Sequence, residues 1–358
     1  MAESTFGSGR RLDFSLSEVT GAVGDSITVL PVAVAVAALT DLELPVLLLG
    51  FAVFQVVWGL HYGIPVSVEP MKALAALVLA GTLTTGEFVT AGLLGGVLLL
   101  VLGTTGSLGR LAAHVGDPVV RGVQVAVALL LARTGIELGV AAPTSTLLAV
   151  AVTAIVVALG YRRTSALAVL ALGFLLAGFD VGVPSPRLPA VSSGVTLAFT
   201  SGMLSATAGQ LAMTVGNAAV ATSLLLADLL DADVSPDELA TSMGAMNLLA
   251  VPLGAMPMCH GSGGVAGKYA FGARTAGANL VLGVLYALAA VFAVSLVAAF
   301  PLSVLGVVLV LVAVELGRAG LDTDDPLLAV GIGVFGLLTN VGVAFVAGVG
   351  AWWLRNKV

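Results

Sequence analysis

The sequence predicts an all-α integral membrane protein with about 14 spans, arranged as two inverted repeats of seven. Of its 358 residues, 59% are hydrophobic and only 9% are charged, whereas soluble domains carry roughly 25% charged residues. Apolar stretches of the length that a bilayer requires, about 17–25 residues per helix, recur from residue 19 to residue 354. We therefore expect residues 1–358 to form one membrane domain.

Gly, Pro and charged residues divide the apolar sequence into helices. The third and tenth spans begin with Pro and small or polar residues, so both are expected to be discontinuous. The run 195–229 is too long for one straight span and is expected to include an interfacial piece. The expected spans are 17–39, 44–60, 65–82, 87–104, 117–137, 143–160, 164–179, 195–229, 237–255, 257–273, 276–298, 301–318, 326–338 and 339–354.

The positions of Lys and Arg predict the orientation of the chain. If both termini face the cytoplasm, eleven of the 14 Lys and Arg residues fall at or near cytoplasmic ends, as the positive-inside rule requires. We therefore expect a multi-pass protein of the cell membrane with cytoplasmic termini. The eleven residues are Arg10, Arg11, Arg110, Arg121, Arg162, Arg163, Lys268, Arg274, Arg318, Arg355 and Lys357.

Landmarks of the first half of the chain recur in the second half. Gly24 in "GAVGDSITVLPVAV" matches Gly216 in "MTVGNAAVATSLLL", and Pro65 in "IPVSVEPMKALAALVLAG" matches Pro257 in "PMCHGSGGVAGK". The sequence separation is the same for both pairs. The chain is therefore expected to consist of two repeats, about 14–180 and about 194–355. With seven spans in each, the second repeat is inverted, as in secondary transporters.

The discontinuous spans predict an anion site. The stretches 65–69 and 257–261 are expected to be extended, each leading into a short helix near the bilayer midplane. The first N–H groups of a helix have no partner within it, so two opposed helix ends attract an anion. Glycines let the backbone approach a ligand closely. The candidate contacts are Ser67, Val68, Glu69, His260, Gly261, Ser262, Gly263 and Gly264.

The strings "PMCHGSGGVAGKYAFGART", "PVSVEPMKALAA" and "GAVGDSITVLP" resemble the molybdate transporter family, a branch related to the sulfate permeases. The resemblance extends over nearly the whole chain. It implies a fourteen-span fold with core and gate subdomains, oxyanion transport by an elevator-like movement, and no cytosolic STAS domain. The sequence departs from the family at Glu69, where Gln is expected, and at 24–27, where a Gly-Asp-Leu-Gly-like run is expected. These departures leave the anion and the coupling mechanism open.

Lys72 and Glu69 lie at the start of the first short helix. A charged group inside a membrane costs about 2.5–3.5 kcal/mol and requires a partner. Lys72 is expected either to neutralise a bound dianion or to form a structural ion pair with Glu69 at i−3. Glu69 is expected either to be protonated when the anion binds or to hold Lys72 in place.

Three polar residues on or beside the predicted site have alternative roles. Asp25 is an intramembrane carboxylate and a candidate for proton coupling together with Glu69, although it could instead cap a break in its helix. Asn217, the repeat mate of Asp25, could contact substrate or brace neighbouring helices. His260 is expected to donate to the anion or to the backbone of the opposing segment. With Cys259 as the only cysteine, no metal site is expected.

The leading functional hypothesis is a proton-coupled secondary transporter of tetrahedral oxyanions, with molybdate first and sulfate or tungstate second. Another anion or nucleobase permease on the same fold and a passive anion channel are the alternatives. The motifs HExxH, GxSxG and GxxxxGK[ST] are absent from the sequence, so neither an enzyme nor an ATP-driven pump is expected. The expected partners are molybdate or a related oxyanion and the lipid bilayer, with a homodimer as an option. No cofactor is expected, and the net charge of −6 argues against nucleic-acid binding.

Overall fold

The computed structural model describes residues 12–112, 114–182, 186 and 196–355. Arg10, Arg11 and Lys357, on which the predicted orientation partly depends, lie outside these residues. The elements of the first half are α1 (Leu16–Leu39), α2 (Leu44–Tyr62), β1 (Glu69–Pro70), α3 (Lys72–Leu79), α4 (Thr85–Thr104), α5 (Leu108–Ala112), α6 (Asp117–Val140), α7 (Pro143–Ala158), a 3₁₀ turn (Arg162–Thr164) and α8 (Ser165–Val181).

The second half repeats this alternation of long helices with one interrupted element. Its elements are α9 (Ser201–Met213), a π-helical segment (Thr214–Ala221), α10 (Thr222–Leu230), α11 (Pro236–Ala250), a 3₁₀ turn (Val251–Leu253), β2 (Met258–Cys259), α12 (Ser262–Ala270), α13 (Gly277–Ala298), α14 (Leu302–Leu321), α15 (Pro326–Leu338) and α16 (Val341–Arg355).

Seven helical segments among the described residues are long and apolar enough to cross a membrane. Four further apolar helical segments are shorter, with 10–17 residues each: Pro143–Ala158, the part Gly277–Phe292 of α13, Pro326–Leu338 and Val341–Arg355. The protein is therefore a mostly helical, multi-pass membrane protein. The seven long segments are Leu16–Leu39, Leu44–Tyr62, Thr85–Thr104, Asp117–Val140, Arg162–Val181, Ser201–Leu230 and Leu302–Leu321.

Side chains at the helix starts explain several of the boundaries. α4 begins with a capping box in which Thr84 and Glu87 bond each other's backbone N–H, and α11 begins with the same arrangement of Ser235 and Glu238. Each box satisfies two N–H groups that have no partner within the helix. Such a boundary is written in the local sequence, which is why these helices begin close to the predicted positions.

The run 195–229, which was expected to include an interfacial piece, is helical over most of its described part. Residues 201–230 form one continuous helical stretch, in which α9 passes into α10 through the π-helical segment. A π-helical insertion widens the helix and leaves backbone groups irregularly bonded. One such group, the Asn217 carbonyl, accepts a hydrogen bond from the Thr222 hydroxyl at 3.0 Å. The structure therefore shows one long helical stretch with a π-helical segment near its middle, and the interfacial piece stays a prediction.

The third and tenth predicted spans are both discontinuous, as expected. Each consists of an extended segment followed by a short helix, with β1 preceding α3 and β2 preceding α12. The two strands pair with each other as an antiparallel ladder, with Glu69 opposite Cys259 and Pro70 opposite Met258. Because the strands run in opposite directions and each ends at a helix start, the N-termini of α3 and α12 lie beside the same two-stranded ladder.

Close helix packing brings α1 against α12. A Cβ added at Gly24 would lie 2.7 Å from the Gly267 carbonyl oxygen, and a Cβ added at Gly267 would lie 2.9 Å from the Gly24 carbonyl oxygen. Small residues permit such backbone contact between membrane helices. The residues that follow these glycines, Asp25 and Lys268, are thereby brought together in the interior of the protein.

Candidate functional site

The paired extended segments are held by groups of the protein itself. The Met71 N–H donates to the Pro257 carbonyl at 2.9 Å, and the Asn247 side chain in α11 bonds both the N–H and the carbonyl of Met258, at 2.8 and 2.6 Å. Non-helical backbone at membrane depth is tolerated only when protein or water satisfies it. These bonds therefore explain how two extended segments persist between helices.

The Glu69 carboxylate lies against the N-terminus of α12. A Cβ added at Gly261 or at Gly264 would collide with this carboxylate. A helix N-terminus carries roughly half a unit of positive charge. The chain thus supplies its own anion at the place where the sequence predicts that an external anion binds.

Lys72 forms an ion pair with this same carboxylate. Of the two predicted roles of Lys72, the structural pair with Glu69 is present; the predicted contact with a dianion stays a prediction. The Lys72 side chain is 15% exposed, whereas the Glu69 side chain is 1% exposed. Lys72 is therefore the member of the pair that an incoming solute can reach.

The N-terminus of α3 differs from the prediction. Its N–H groups were expected to point unpaired into a cavity, but those of Ala73 and Leu74 donate to the Gln210 side-chain oxygen at 3.0 and 3.2 Å. The Gln210 amide nitrogen in turn donates to the Thr214 hydroxyl at 3.0 Å. A side chain from α9 therefore caps α3, and an anion would have to replace it to reach these two groups.

Asp25 and Lys268 form a fully buried ion pair. The Lys268 Nζ lies 3.1 Å from Asp25 Oδ2. The carboxylate also accepts hydrogen bonds from Gln55 Nε2 at 2.6 Å and from Ser67 Oγ at 2.5 Å. Lys268 was predicted to lie at or near a cytoplasmic end of a span, and that orientation stays a prediction. Its side chain has no exposed surface, because the contact between Gly24 and Gly267 brings it against Asp25 in the protein interior.

The site contains two acidic and two basic side chains within a protein interior. Asp25, Glu69 and Lys268 are fully buried and Lys72 is nearly so. In their ordinary charge states the four sum to zero. An isolated charge in this position would be costly. Here each carboxylate is neutralised by a Lys, and the Ser67 hydroxyl links the two carboxylates. The Ser67 Oγ lies 2.5 Å from Asp25 Oδ1 and 3.4 Å from Glu69 Oε1.

His260 and Asn217 make structural contacts. The His260 ring bonds the Ser67 carbonyl at 2.7 Å and the Ser242 hydroxyl at 2.8 Å, so it contacts the backbone of the opposing segment, one of the two roles predicted for it. Asn217 Oδ1 accepts a hydrogen bond from the Ser262 hydroxyl at 2.6 Å and so links the π-helical segment to α12. The predicted role of either residue in substrate contact stays a prediction.

The candidate residues differ in their access to solvent. Val68, Glu69, His260, Gly261 and Gly264 are buried, whereas Gly263 is exposed. A Cβ added at Gly263 would meet no atom within 4 Å. Among the described residues, no group of three or more His, Cys, Asp and Glu side chains is placed to hold a metal ion. The accessible part of the site therefore comprises Gly263 and the partly exposed residues Lys72, Asn217 and Ser262.

Three polar residues of this site carried no predicted role, namely Gln55, Gln210 and Asn279. Gln55 is the only strongly polar residue within an apolar stretch of α2, and this isolation was its one signal in the sequence. Asn279 lies in α13, where it contacts Lys268 and the backbone of 55 and 66. Its role depends on the approach of α2 and α13, which no local pattern reveals.

Comparison with known proteins identifies the family. A family described as "Molybdate transporter of MFS superfamily" matches residues 17–131 and 202–316. The chain belongs to the molybdate transporter family. Its members are membrane transporters, not enzymes. The two matched stretches are equal in length and begin in α1 and α9, so the same family pattern occurs in both halves of this transporter-family chain.

Two plant relatives and two solved structures extend the comparison. Molybdate transporter 2 of Arabidopsis thaliana is 30% identical over 86% of this chain and 80% of the relative. Molybdate transporter 1 of the same plant is 29% identical over 95% of this chain and 89% of the relative. The fold is similar to that of the transmembrane domain of a cyanobacterium bicarbonate transporter, BicA, with a TM-score of 0.70 and 17% identity over 92% of this chain and 97% of that one. Murine Slc26a9, described as an anion transporter in the inward-facing state, gives a TM-score of 0.70 and 14% identity over 96% of this chain and 69% of that one.

Proposed function

We propose that this member of the molybdate transporter family is a secondary transporter that imports molybdate or a related tetrahedral oxyanion. The family supports an anion as the substrate. The observation that carries the proposal is the meeting of α3 and α12, whose N-termini adjoin one antiparallel ladder, with the Lys72 ammonium paired to the Glu69 carboxylate of that ladder. Helix N-termini and a partly exposed ammonium are suited to a dianion.

In this proposal the oxyanion displaces the Glu69 carboxylate. In the structure, the Glu69 carboxylate contacts the two positive groups that a dianion would need, namely the Lys72 ammonium and the N-terminus of α12. The substrate binds between the opposed helix ends at the membrane midplane, where Ser262, Gly263 and Asn217 border the accessible side. Ser67, Val68, His260, Gly261 and Gly264 shape the site from behind.

The displaced carboxylate is the proposed acceptor of the coupling proton. Once Lys72 faces the substrate, Glu69 has lost its counter-ion, and Ser67 still links it to the carboxylate of Asp25. Two carboxylates sharing one hydroxyl group repel each other, and an arriving dianion adds to that repulsion. Proton uptake by Glu69 relieves it. Asp25 keeps Lys268 as its partner and is therefore the second candidate for proton coupling.

The proposed architecture has 14 spans in two inverted repeats, about 14–180 and about 194–355, within one transport domain. The recurrence of the family pattern in 17–131 and 202–316 supports this division, as does the pair of interrupted elements β1–α3 and β2–α12. We further propose that the protein lies in the cell membrane with both termini in the cytoplasm, and that its assembly is a homodimer.

Uptake of labelled molybdate into proteoliposomes tests the proposal. We expect saturable uptake that rises above electrochemical equilibrium when an acid-outside gradient is imposed, with competition by unlabelled tungstate and sulfate. Uptake that never exceeds equilibrium would make the protein a passive channel. Uptake of bicarbonate or a nucleobase without competition by molybdate would assign it a different substrate.

A further inference from the structure

We propose that four oxygen atoms around Lys268 form a monovalent-cation site that the chain fills with its own ammonium group. The Lys268 Nζ lies 2.7 Å from the Val66 carbonyl, 2.8 Å from Gln55 Oε1 and 3.0 Å from Asn279 Oδ1. The fourth oxygen is Asp25 Oδ2 at 3.1 Å. The first three accept the three hydrogens of the ammonium, and the fourth supplies one negative charge for its one positive charge.

Hydrogen bonds hold the oxygens of this cage towards its centre. Gln55 Nε2 donates to Asp25 and to the Val68 carbonyl, at 2.6 and 3.2 Å, which turns Gln55 Oε1 towards Lys268. Asn279 Nδ2 donates to the backbone carbonyls of 55 and 66 at 3.0 and 2.7 Å, which turns its oxygen in the same direction. The partners lie on α1, α2, α13 and the segment before β1, so the cage does not depend on Lys268 for its shape.

The size and charge of the cage suit a large monovalent ion. Its oxygens lie 2.7–3.1 Å from the nitrogen, farther than the roughly 2.0–2.6 Å at which Mg²⁺ and Ca²⁺ are bound. One carboxylate among three neutral oxygens balances a single charge. Every contributing side chain is fully buried, so a cation here must be present permanently or be enclosed when the site forms.

This inference rests on the proposed transport function, and it concerns which cation neutralises Asp25 during transport. A built-in ammonium keeps the charge of Asp25 neutralised through the transport cycle. Uptake of the oxyanion by the wild-type protein should therefore require no added Na⁺. It also leaves Glu69, and not Asp25, as the carboxylate free to exchange a proton.

Chemical rescue tests the cage. Lys268→Ala removes the atoms Cγ, Cδ, Cε and Nζ, which n-propylammonium replaces atom for atom, whereas Lys268→Met fills the positions of Cγ, Cδ and Cε and leaves no room for n-propylammonium. For Lys268→Ala we expect a lowered Tm in choline chloride that rises by a few degrees with n-propylammonium, ammonium or K⁺ at equal ionic strength, because a ligand of the folded state raises its stability. Lys268→Met should show no dependence on n-propylammonium, and the wild type should show none on any of the three cations.

A second part of the experiment tests whether cation binding requires the negative charge of Asp25. In the double variant Asp25→Asn/Lys268→Ala the cations should no longer raise Tm. Failure of all three cations to raise the Tm of Lys268→Ala would overturn the proposal, as would a rise equal to that of Lys268→Met. Recovery of no folded Lys268→Ala in any of these salts would overturn it as well, since an oxygen cage able to bind free cations should accept them.

A measurement on the wild type separates this inference from the transport function. Molybdate uptake into proteoliposomes is compared in Na⁺ and in choline media at the same pH gradient. Equal uptake in the two media supports the built-in cation, and uptake only with Na⁺ overturns it while leaving molybdate transport intact. Uptake in neither medium, with intact rescue of Lys268→Ala by n-propylammonium, would contradict the transport function and leave the cation site standing.

Discussion

Lys72 has two roles, because it forms a buried ion pair that stabilises the protein and it is also a proposed ligand for the substrate. It is the only partly exposed member of the four charged side chains in the site, and its present partner is Glu69. Removing one partner of a buried ion pair costs about 3–5 kcal/mol, because the other charge is left uncompensated. A single substitution of Lys72 therefore has two effects. It removes a ligand for the dianion, and it leaves the buried Glu69 carboxylate without a counter-ion.

A double variant separates these effects. Lys72→Ala should abolish high-affinity oxyanion binding, measured by titration of the purified protein with molybdate. Lys72→Ala/Glu69→Gln should recover much of the Tm lost by the single variant, because it leaves no unpaired carboxylate, but it should not recover binding. Recovery of wild-type affinity by the double variant would assign Lys72 to the ion pair alone.

Gly263 offers a test that leaves the protein interior untouched. A side chain at this exposed position meets no neighbouring atom, so Gly263→Val should keep a Tm close to that of the wild type. We expect it to block uptake, because the branched side chain projects where an anion must approach the start of α12. Gly264→Val is the contrasting variant, since its side chain would collide with Ser67, Asp25 and Glu69 and should lower Tm. Normal uptake by Gly263→Val would move the site elsewhere.

At the scale of helices, the contact between α1 and α12 fixes the positions of Asp25 and Lys268. Gly267→Val would place its Cβ within 2.9 Å of the Gly24 carbonyl oxygen, and overpacking of this kind costs about 1–3 kcal/mol. We expect a lower Tm and weaker molybdate binding, because the displaced α1 carries Asp25 with it. Ala266→Val, one position away on the exposed side of α12, is the matched control. A Tm equal to that of the control would show that the two helices can separate without cost.

The elements of this fold are more predictable than their contacts. Hydropathy and breaks at Gly and Pro placed most helices, and the two discontinuous elements followed from Pro and small residues in otherwise apolar runs. The positive-inside rule is a statistical rule about loops, and it gave no sign that the Lys268 side chain is buried, because a Lys near the end of a short helix resembles an exposed Lys at the end of a span. The partner of that Lys lies on α1, more than half the chain away, and only the close approach of two glycines brings them together.

The same limit applies to the caps of the short helices. The sequence indicated that α3 and α12 begin with unpaired N–H groups, which is correct for any helix considered alone. It contained no sign that Gln210 on α9 caps α3 or that Glu69 lies against α12. Both contacts arise from tertiary packing between elements of different halves of the chain, so they became visible only with the fold.

At the scale of the whole molecule, the charge of the substrate sets the energetic problem. Moving a dianion into a cell against an inside-negative potential of 100 mV costs about 4.6 kcal/mol, at about 2.3 kcal/mol per charge. One proton carried with each anion reduces this to about 2.3 kcal/mol. A two-unit pH gradient, acid outside, contributes about 2.7 kcal/mol per proton. One proton is then enough to make the import of a dianion slightly favourable at equal concentrations.

The last prediction follows from the identity of the coupling residue. Substrate that takes Lys72 leaves Glu69 beside Asp25 without a counter-ion, so anion binding and proton binding should reinforce each other, as linkage requires. Uptake should rise with an acid-outside gradient in the wild type. Glu69→Gln, which holds a permanently neutral side chain of nearly the same size, should keep molybdate binding and lose the response to pH. If Asp25→Asn loses that response while Glu69→Gln retains it, coupling belongs to Asp25. Wild-type uptake that is indifferent to a two-unit gradient at fixed voltage would exclude protons as the coupling ion, because neither carboxylate would then change its charge during transport.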